Sequence, residues 1–510
     1  MCVVSSTHMK TPLPTLLLSL SLPALAQSPS PQPAAPSPLD GLWLGTLHTG
    51  GPNLRLQFHL HADAAGKWTC TLDSLDQQAM DIPCAVTSAV NPIVLDIAVV
   101  HGKFTATLTA DTLDGTFTQG ADLPLTLTRQ AKPIAAPPPN PPDAALPPAT
   151  IDTIRKILDQ DIGIALDKGA LAPSTHTGVT IGIVQHGVRR IFSYGTAQPD
   201  SVFEIGSISK TFTALILAQM VEQQKVRLDE PVRDLLPPNT VPKPAGPPFV
   251  TREITLLDLS DQHSGLPRMP DNFAPADPTN PYADYDAAHL YAYIAKHGLA
   301  IEPNPPFGYS NLGVGLLGQA LSVRAAEPYP QLLHEQVTGP LGMTETAIAL
   351  TPSMKSRFIQ GHDAEHNPAH AWDLDALAGA GGIRSTAADM LTYLEAQLHP
   401  DHLPATATST PNGKTLPAAI ALDHILHADA GEGMHIALNW FQYDATGSFW
   451  HNGGTGGYSS YAIFNPAQDF AVIVLSNVSP GPDTITDHLG LHIAQRLQGK
   501  PAISLAPQPH

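Results

Sequence analysis

Three short stretches of the chain combine residue types that can carry out acyl transfer. The first is Ser207-Ile208-Ser209-Lys210. A serine hydroxyl is a weak nucleophile at neutral pH and needs a base within reach, and a lysine three residues on along a helix lies on the same face. The apolar run from Thr211 to Val221 predicts a buried helix. Ser207 then stands at its N-terminal end, where free N–H groups stabilise developing negative charge. The same four residues also describe an ordinary helix start, but no other lysine in the chain has a serine three residues before it.

Tyr309-Ser310-Asn311 follows Pro305-Pro306-Phe307-Gly308 and opens the apolar run Leu312 to Leu321, so the spacing predicts a loop entering a helix. A tyrosine near a lysine ammonium can have its pKa lowered and carry protons, while an asparagine amide can hold a substrate amide. The third stretch, His451-Asn452-Gly453-Gly454-Thr455-Gly456-Gly457, precedes the strands Ser459 to Phe464 and Phe470 to Leu475. It predicts an edge strand beside a cleft, with glycines that let a ligand backbone approach and exposed N–H groups that pair with an extended substrate. Taken singly, a turn with a packed tyrosine and one histidine-x-glycine triplet among several explain these two stretches as well.

The elements that position these residues fall in the C-terminal two-thirds of the chain. A helix of period 3.6 is expected from Ile151 to Ile162, followed by a hairpin of Val179–Val184 and Val188–Tyr194 turning at His186-Gly187. Before it, Lys132 to Ala149 is a proline-rich spacer of extended conformation. From Asp40 to Arg129, alternation such as Leu54, Leu56, Phe58 and Leu60 predicts a small antiparallel barrel or sandwich, with a hairpin turn at Asp114-Gly115. His59 and His61 share a strand face there, which suits either a metal or two exposed polar positions. The expected division is a leader at 1–26, a flexible segment at 27–39, a β domain at 40–130, a linker at 131–149 and the chemistry-bearing domain at 150–502.

The leader is read from Lys10, the apolar stretch Leu13 to Leu25 and Ala24-Leu25-Ala26 before Gln27, with translation starting at Met1 or Met9. An exported, periplasmic or secreted protein without a stable membrane anchor is expected. Cys2 would leave with the leader, so Cys70 and Cys84 remain, as a disulfide or as two buried thiols. The chain has 510 residues, 45 acidic against 26 basic side chains and a net charge of −19. Such an excess repels phosphate backbones, so nucleic acid is not an expected partner.

The three stretches, in this order, resemble the signature of the serine β-lactamase and penicillin-binding-protein superfamily, in the branch of class C β-lactamases, D-alanyl-D-alanine carboxypeptidases and related esterases. Phe203-Glu204-Ile205-Gly206, His263-Ser264-Gly265-Leu266-Pro267, Pro340-Leu341-Gly342-Met343-Thr344 and Gly381 to Asp389 are also similar to stretches of that branch. The resemblance covers about residues 150 to 500. It implies an α+β fold, an antiparallel sheet flanked by helices plus a helical subdomain, with the site between them. It further implies Ser207 as nucleophile, Lys210 and Tyr309 as proton carriers, Asn311 orienting the acyl side chain, and the N–H groups of Ser207 and Gly454 as oxyanion hole. Gly453 and His451 would line the substrate, His451 holding its carboxylate or tuning Tyr309. No cofactor and no metal are implied.

Class C β-lactamases usually carry lysine where this chain has His451. The implied substrates are therefore, first, peptidoglycan peptides ending in D-alanyl-D-alanine, with β-lactams recognised as mimics; the alternatives are a class C-like β-lactamase and an esterase of the same fold. Other chemistries fit less well. Gly308-Tyr309-Ser310-Asn311-Leu312 lacks the last glycine of an α/β-hydrolase elbow. His362, His366 and His370 have helical spacing for a metal, but Asn367-Pro368 predicts a loop. A cell-wall binding protein without catalysis would not need Ser207, Lys210 and Tyr309 together.

Overall fold

Period-two alternation in the N-terminal third builds eight strands: β1 (Gly41–Leu47), β2 (Leu54–Ala62), β3 (Trp68–Ser74), β4 (Ala79–Ser88), β5 (Ile93–Ile97), β6 (Gly102–Thr109), β7 (Thr112–Thr118) and β8 (Asp122–Gln130). Each pairs antiparallel with the next and β8 returns to β1, so of the two expected forms the closed barrel is the one adopted. Closure leaves no unpaired edge. Trp43, Phe58, Leu72, Leu95, Phe104, Leu113 and Leu127 fill the interior. The computed structural model describes residues 37–503 and 505, apart from 49–53, 64–65, 76–78, 101, 120–121, 135–147, 164–170, 172–174, 243–250, 303, 432 and 482–484. The expected leader, nearly all of the flexible segment and the proline run of the linker lie outside the described residues.

Asp114-Gly115 is not a turn. The β6–β7 hairpin closes at Ala110-Asp111, with Thr109 opposite Thr112, and Gly115 sits in mid-strand. A Cβ there would lie 2.1 Å from the Thr105 carbonyl, so close approach of the neighbouring strand, not chain reversal, explains the glycine. Cys70 and Cys84 face each other across β3 and β4 with Cα atoms 5.0 Å apart and form a disulfide. His59 and His61 each meet a separate carboxylate, Asp73 at 2.7 Å and Asp40 at 3.1 Å. Among the described residues no group of three or more ligand side chains is arranged to hold a metal.

In the second part the helix Ile154–Asp161 leads into β9 (Gly178–Gln185) and β10 (Val188–Gly195), which turn at His186 and Gly187, both at positive φ. Then come β11 (Val202–Glu204), the small ribbon β12 (Arg252–Glu253) with β13 (Ala300–Ile301), and β14 (Arg384–Thr386), which pairs with β11. The remaining strands are β15 (Ala428–Gly431), β16 (Met434–Ile436), β17 (Phe441–Tyr443), β18 (Phe449–Gly454), β19 (Ser459–Asn465) and β20 (Phe470–Ser476). With β9 and β10 they form one antiparallel sheet in the order β10-β9-β20-β19-β18-β17-β16-β15.

Both faces of the sheet's centre are covered, so β20 is buried throughout and apolar from Phe470 to Leu475. Val472 and Val474 pack with Ile154, Leu158, Leu489 and Ile493 of the first and last helices, while Ala471, Ile473 and Leu475 join the larger core that includes the helices Ala387–Leu398 and Ser209–Glu222. The latter helix is buried from Ser209 to Met220. Its polar members are satisfied internally: Thr213 donates to the Gly379 carbonyl at 2.7 Å, and the Ile383 N–H donates to the Ser209 hydroxyl at 3.1 Å. No helix among the described residues is long and apolar enough to cross a membrane.

The cross-strand disulfide closes a loop with a sequence separation of 14 residues. Constraining a loop of this size stabilises by about 3 kcal/mol in the chain-entropy model. Adding reductant should therefore lower the barrel's thermal midpoint and leave that of a Cys70→Ser/Cys84→Ser variant unchanged, as read by calorimetry.

Candidate active site

Ser207 lies in a single 3-10 turn, Gly206–Ile208, that feeds the Ser209–Glu222 helix. The turn is held from several directions. Glu204 and Arg384 pair across β11 and β14 at 3.2 Å, both buried, and Glu204 also accepts the Trp372 N–H at 2.9 Å. The Ile205 N–H donates to Ile383, and the Ser460 hydroxyl donates to the Ile205 carbonyl at 2.8 Å.

Two glycines let this turn press against β18. A Cβ on Gly453 would stand 2.1 Å from the Ile205 carbonyl and 2.9 Å from the Ser207 nitrogen. Gly206 has φ +51°, and a Cβ on it would lie 2.5 Å from the Gly454 nitrogen. Backbone therefore meets backbone, which brings the expected oxyanion pair, Ser207 and Gly454, to the same place.

Lys210 is fully buried. Its Nζ lies 2.9 Å from Ser207 Oγ and donates to the Ala380 carbonyl at 2.6 Å. Desolvation, reinforced by the charge of Arg268, holds the amine well below its ordinary pKa. A neutral amine retains a lone pair that can accept the serine proton.

Tyr309 closes the other side, just before the helix Asn311–Ala325, whose N-cap Ser310 accepts the Gly313 N–H at 2.8 Å. Lys210 Nζ sits 4.9 Å from the Tyr309 ring centroid. Burial raises the phenol to about 12, against opposing effects from a hydrogen bond with Ser207 and the charge of Arg268. The expected lowering by a lysine ammonium is thus not what the structure holds. Burial thus disfavours the charged form of both groups, lowering the lysine and raising the phenol.

His451 is buried on β18, its ring centroid 6.2 Å from that of Tyr309. Its Nδ1 faces the Asn452 carbonyl at 2.6 Å and must carry the proton, while Nε2 is buried without a partner. Burial pushes its pKa down to about 3. A neutral ring with its N–H already engaged has neither charge nor donor to offer a carboxylate, so of the two expected roles the geometry favours a partnership with Tyr309. The Asn311 amide is half-buried, its Nδ2 3.7 Å from Met269 Sδ.

β18 is not the last strand of the sheet, as an edge would be. However, β17 pairs only with Phe449 and Trp450, so His451 to Gly454 have no strand partner on the side away from β19. The three histidines considered for a metal do lie in a loop: His362 is buried and stacks on His176 at 6.0 Å, and His370 Nδ1 faces the Ala371 carbonyl. Two participants carried no motif signal. Ala380 holds Lys210 through its backbone, which no side-chain pattern announces; Arg268, one residue beyond His263–Pro267, lies over the Tyr309 ring with Cζ 5.2 Å from its centroid.

Residues 168–495 match the Beta-lactamase family model. The chain belongs to that family, and it is a serine hydrolase; the barrel strands precede the matched region. Among its relatives, a D-alanyl-D-alanine-carboxypeptidase/endopeptidase, AmpH, of Escherichia coli K12 is 28% identical over 318 residues, 60% of this chain and 80% of that protein. A Beta-lactamase of Pseudomonas fluorescens is 26% identical over 358 residues, 64% and 93% of the two chains. The fold is shared with a crystal structure of a beta-lactamase/D-alanine carboxypeptidase from Pseudomonas syringae, with a TM-score of 0.54 and 19% identity, covering 68% of this chain and 98% of that one.

Two outcomes follow from this geometry. Gly453→Ala should leave a folded protein in which the Ser207 turn is displaced and acylation falls about a hundredfold or more, as expected for misplacement on the ångström scale. Single-turnover acylation should decline as pH falls through the depressed pKa of Lys210, because protonation removes the base. A rate that still climbs steeply near the ordinary lysine range would contradict a neutral Lys210.

Proposed function

We propose that Ser207 is the nucleophile of a D-alanyl-D-alanine carboxypeptidase or related peptidase that acts on peptidoglycan peptides and recognises β-lactams as mimics of that dipeptide. The observation that carries this reading is the 2.9 Å approach of the fully buried Lys210 amine to Ser207 Oγ. Lys210 takes the hydroxyl proton as Oγ bonds to the acyl carbon, and the carbonyl oxygen becomes an oxyanion facing the Ser207 and Gly454 N–H groups. On collapse the carbon–nitrogen bond breaks. Tyr309 gives its proton to the leaving amine and regains one from Lys210, while Asn311 orients the acyl side chain. Water then adds to the acyl-enzyme by the same groups in reverse.

The Escherichia coli relative supports the peptidase reading by its name. The Pseudomonas fluorescens relative supports the β-lactamase alternative. An esterase remains the third reading, motivated by His451 where class C enzymes carry lysine. We further propose that the protein is exported by the leader at residues 1–26 and that residues 40–130 and 150–502 are separate domains joined by the proline linker.

Ser207→Ala should abolish formation of a penicilloyl adduct, and Tyr309→Phe should slow it severely, both followed by intact mass with benzylpenicillin. In the wild-type protein a persistent adduct favours the peptidase, rapid loss of free antibiotic favours the β-lactamase, and neither favours the esterase. Cleavage of peptides ending in D-alanine but not L-alanine is the matching test on substrate; equal cleavage of both would defeat the peptidase reading.

A further inference from the structure

Arg268 stands at the mouth of the site without a counter-ion among the described residues. Its backbone is pinned to the helix behind Tyr309: its carbonyl accepts the Asn311 and Leu312 N–H groups at 3.0 and 3.3 Å, and the adjacent Pro267 carbonyl accepts the Ser310 hydroxyl at 2.7 Å. From this fixed base the side chain is exposed and its guanidinium lies over the Tyr309 ring. No carboxylate among the described residues pairs with it. Every other arginine from Arg155 to Arg496 sits in an ion pair. In a chain with 45 acidic against 26 basic side chains, a guanidinium left unpaired beside the reactive groups is available to something from outside.

Its surroundings indicate which part of a substrate it meets. Met269, the next residue, places its Sδ 3.7 Å from the Asn311 amide and 3.8 Å from the Tyr282 hydroxyl. Tyr282 packs on Trp372, with ring centroids 5.0 Å apart, and Trp372 in turn abuts Gly456, beyond Gly454. Arg268 therefore belongs to the same wall as Asn311, on the acyl side of the bond to be cut. Guanidinium is the side chain best suited to grip a carboxylate, through two parallel hydrogen bonds. His451, neutral and with its N–H engaged, does not compete for that role.

We propose that Arg268 selects substrates whose acyl portion carries a carboxylate, as an acidic peptide residue would, while Asn311 holds the amide nearer the reacting carbonyl. This rests on Ser207 acting as the nucleophile. An anion seated on Arg268 also offsets the charge that helps depress Lys210, so the amine gains proton affinity as the serine proton must be accepted.

The test compares 4-nitrophenyl butyrate with 4-nitrophenyl hemisuccinate, which match in length and differ by one carboxylate. Wild-type protein should prefer the hemisuccinate in kcat/KM, mainly through KM, and Arg268→Gln should reduce that ratio about tenfold or more, the order of one charge-assisted contact. Arg268→Lys should recover part of it. Wild-type reaction without charge preference, a ratio unchanged in Arg268→Gln, or reaction with neither ester overturns the proposal and leaves the Ser207 reading to the penicilloyl-adduct test; absence of that adduct as well overturns both. A D-alanyl-D-alanine peptide offered as free acid and as C-terminal amide is the third comparison. If Arg268→Gln erases a preference for the free acid instead, the guanidinium serves the leaving group and the acyl-side assignment falls.

Discussion

Dehydration of one lysine governs the site. Lys210 lies on a helix that is buried on every side, so an ammonium there would lose its hydration. Burial disfavours the charged amine, whose hydrogen-bond partners are the Ala380 carbonyl and Ser207 Oγ. The other proton states follow from the same dry surroundings. Tyr309 stays a phenol, His451 stays an uncharged imidazole, and the positive charge nearest the reactive groups is left on Arg268, out at the surface.

The second constraint is steric. The turn bearing Ser207 and strand β18 come from parts of the chain far apart in sequence, yet their backbones touch at Gly206, Gly453 and Gly454. A side chain at Gly206 or Gly453 would push the Ser207 turn away from the strand, so the closeness of the two depends on atoms that are absent. The buried Glu204–Arg384 pair and the Ser460 hydroxyl hold the approach to the turn in place.

Much of this was readable from the residues alone, because the reactive groups are side chains at fixed spacing and the supporting helices and strands have strong apolar periodicity. The Ser207–Lys210 pair, the helix after Tyr309, the His186-Gly187 hairpin and the barrel are examples. What escaped depends on contacts between distant segments. Protonation of Lys210 and Tyr309 is set by what buries them, not by their neighbours in sequence. Asp114-Gly115 has the composition of a turn, but its glycine answers to a strand across the barrel. β18 looks like an edge because glycines end it, whereas three further strands lie beyond its first residues. Arg268 has no carboxylate partner among the described residues, which is visible only in three dimensions.

The partial covering of β18 makes the sheet a ruler. Only Phe449 and Trp450 are paired by β17, which leaves His451 to Gly454 for an incoming strand. At about 3.3 Å per residue this is roughly 13 Å of track. An extended chain laid along it meets the end of β17 and must stop or bend away. Backbone rather than a side-chain pocket thus sets the length of open strand beside Ser207.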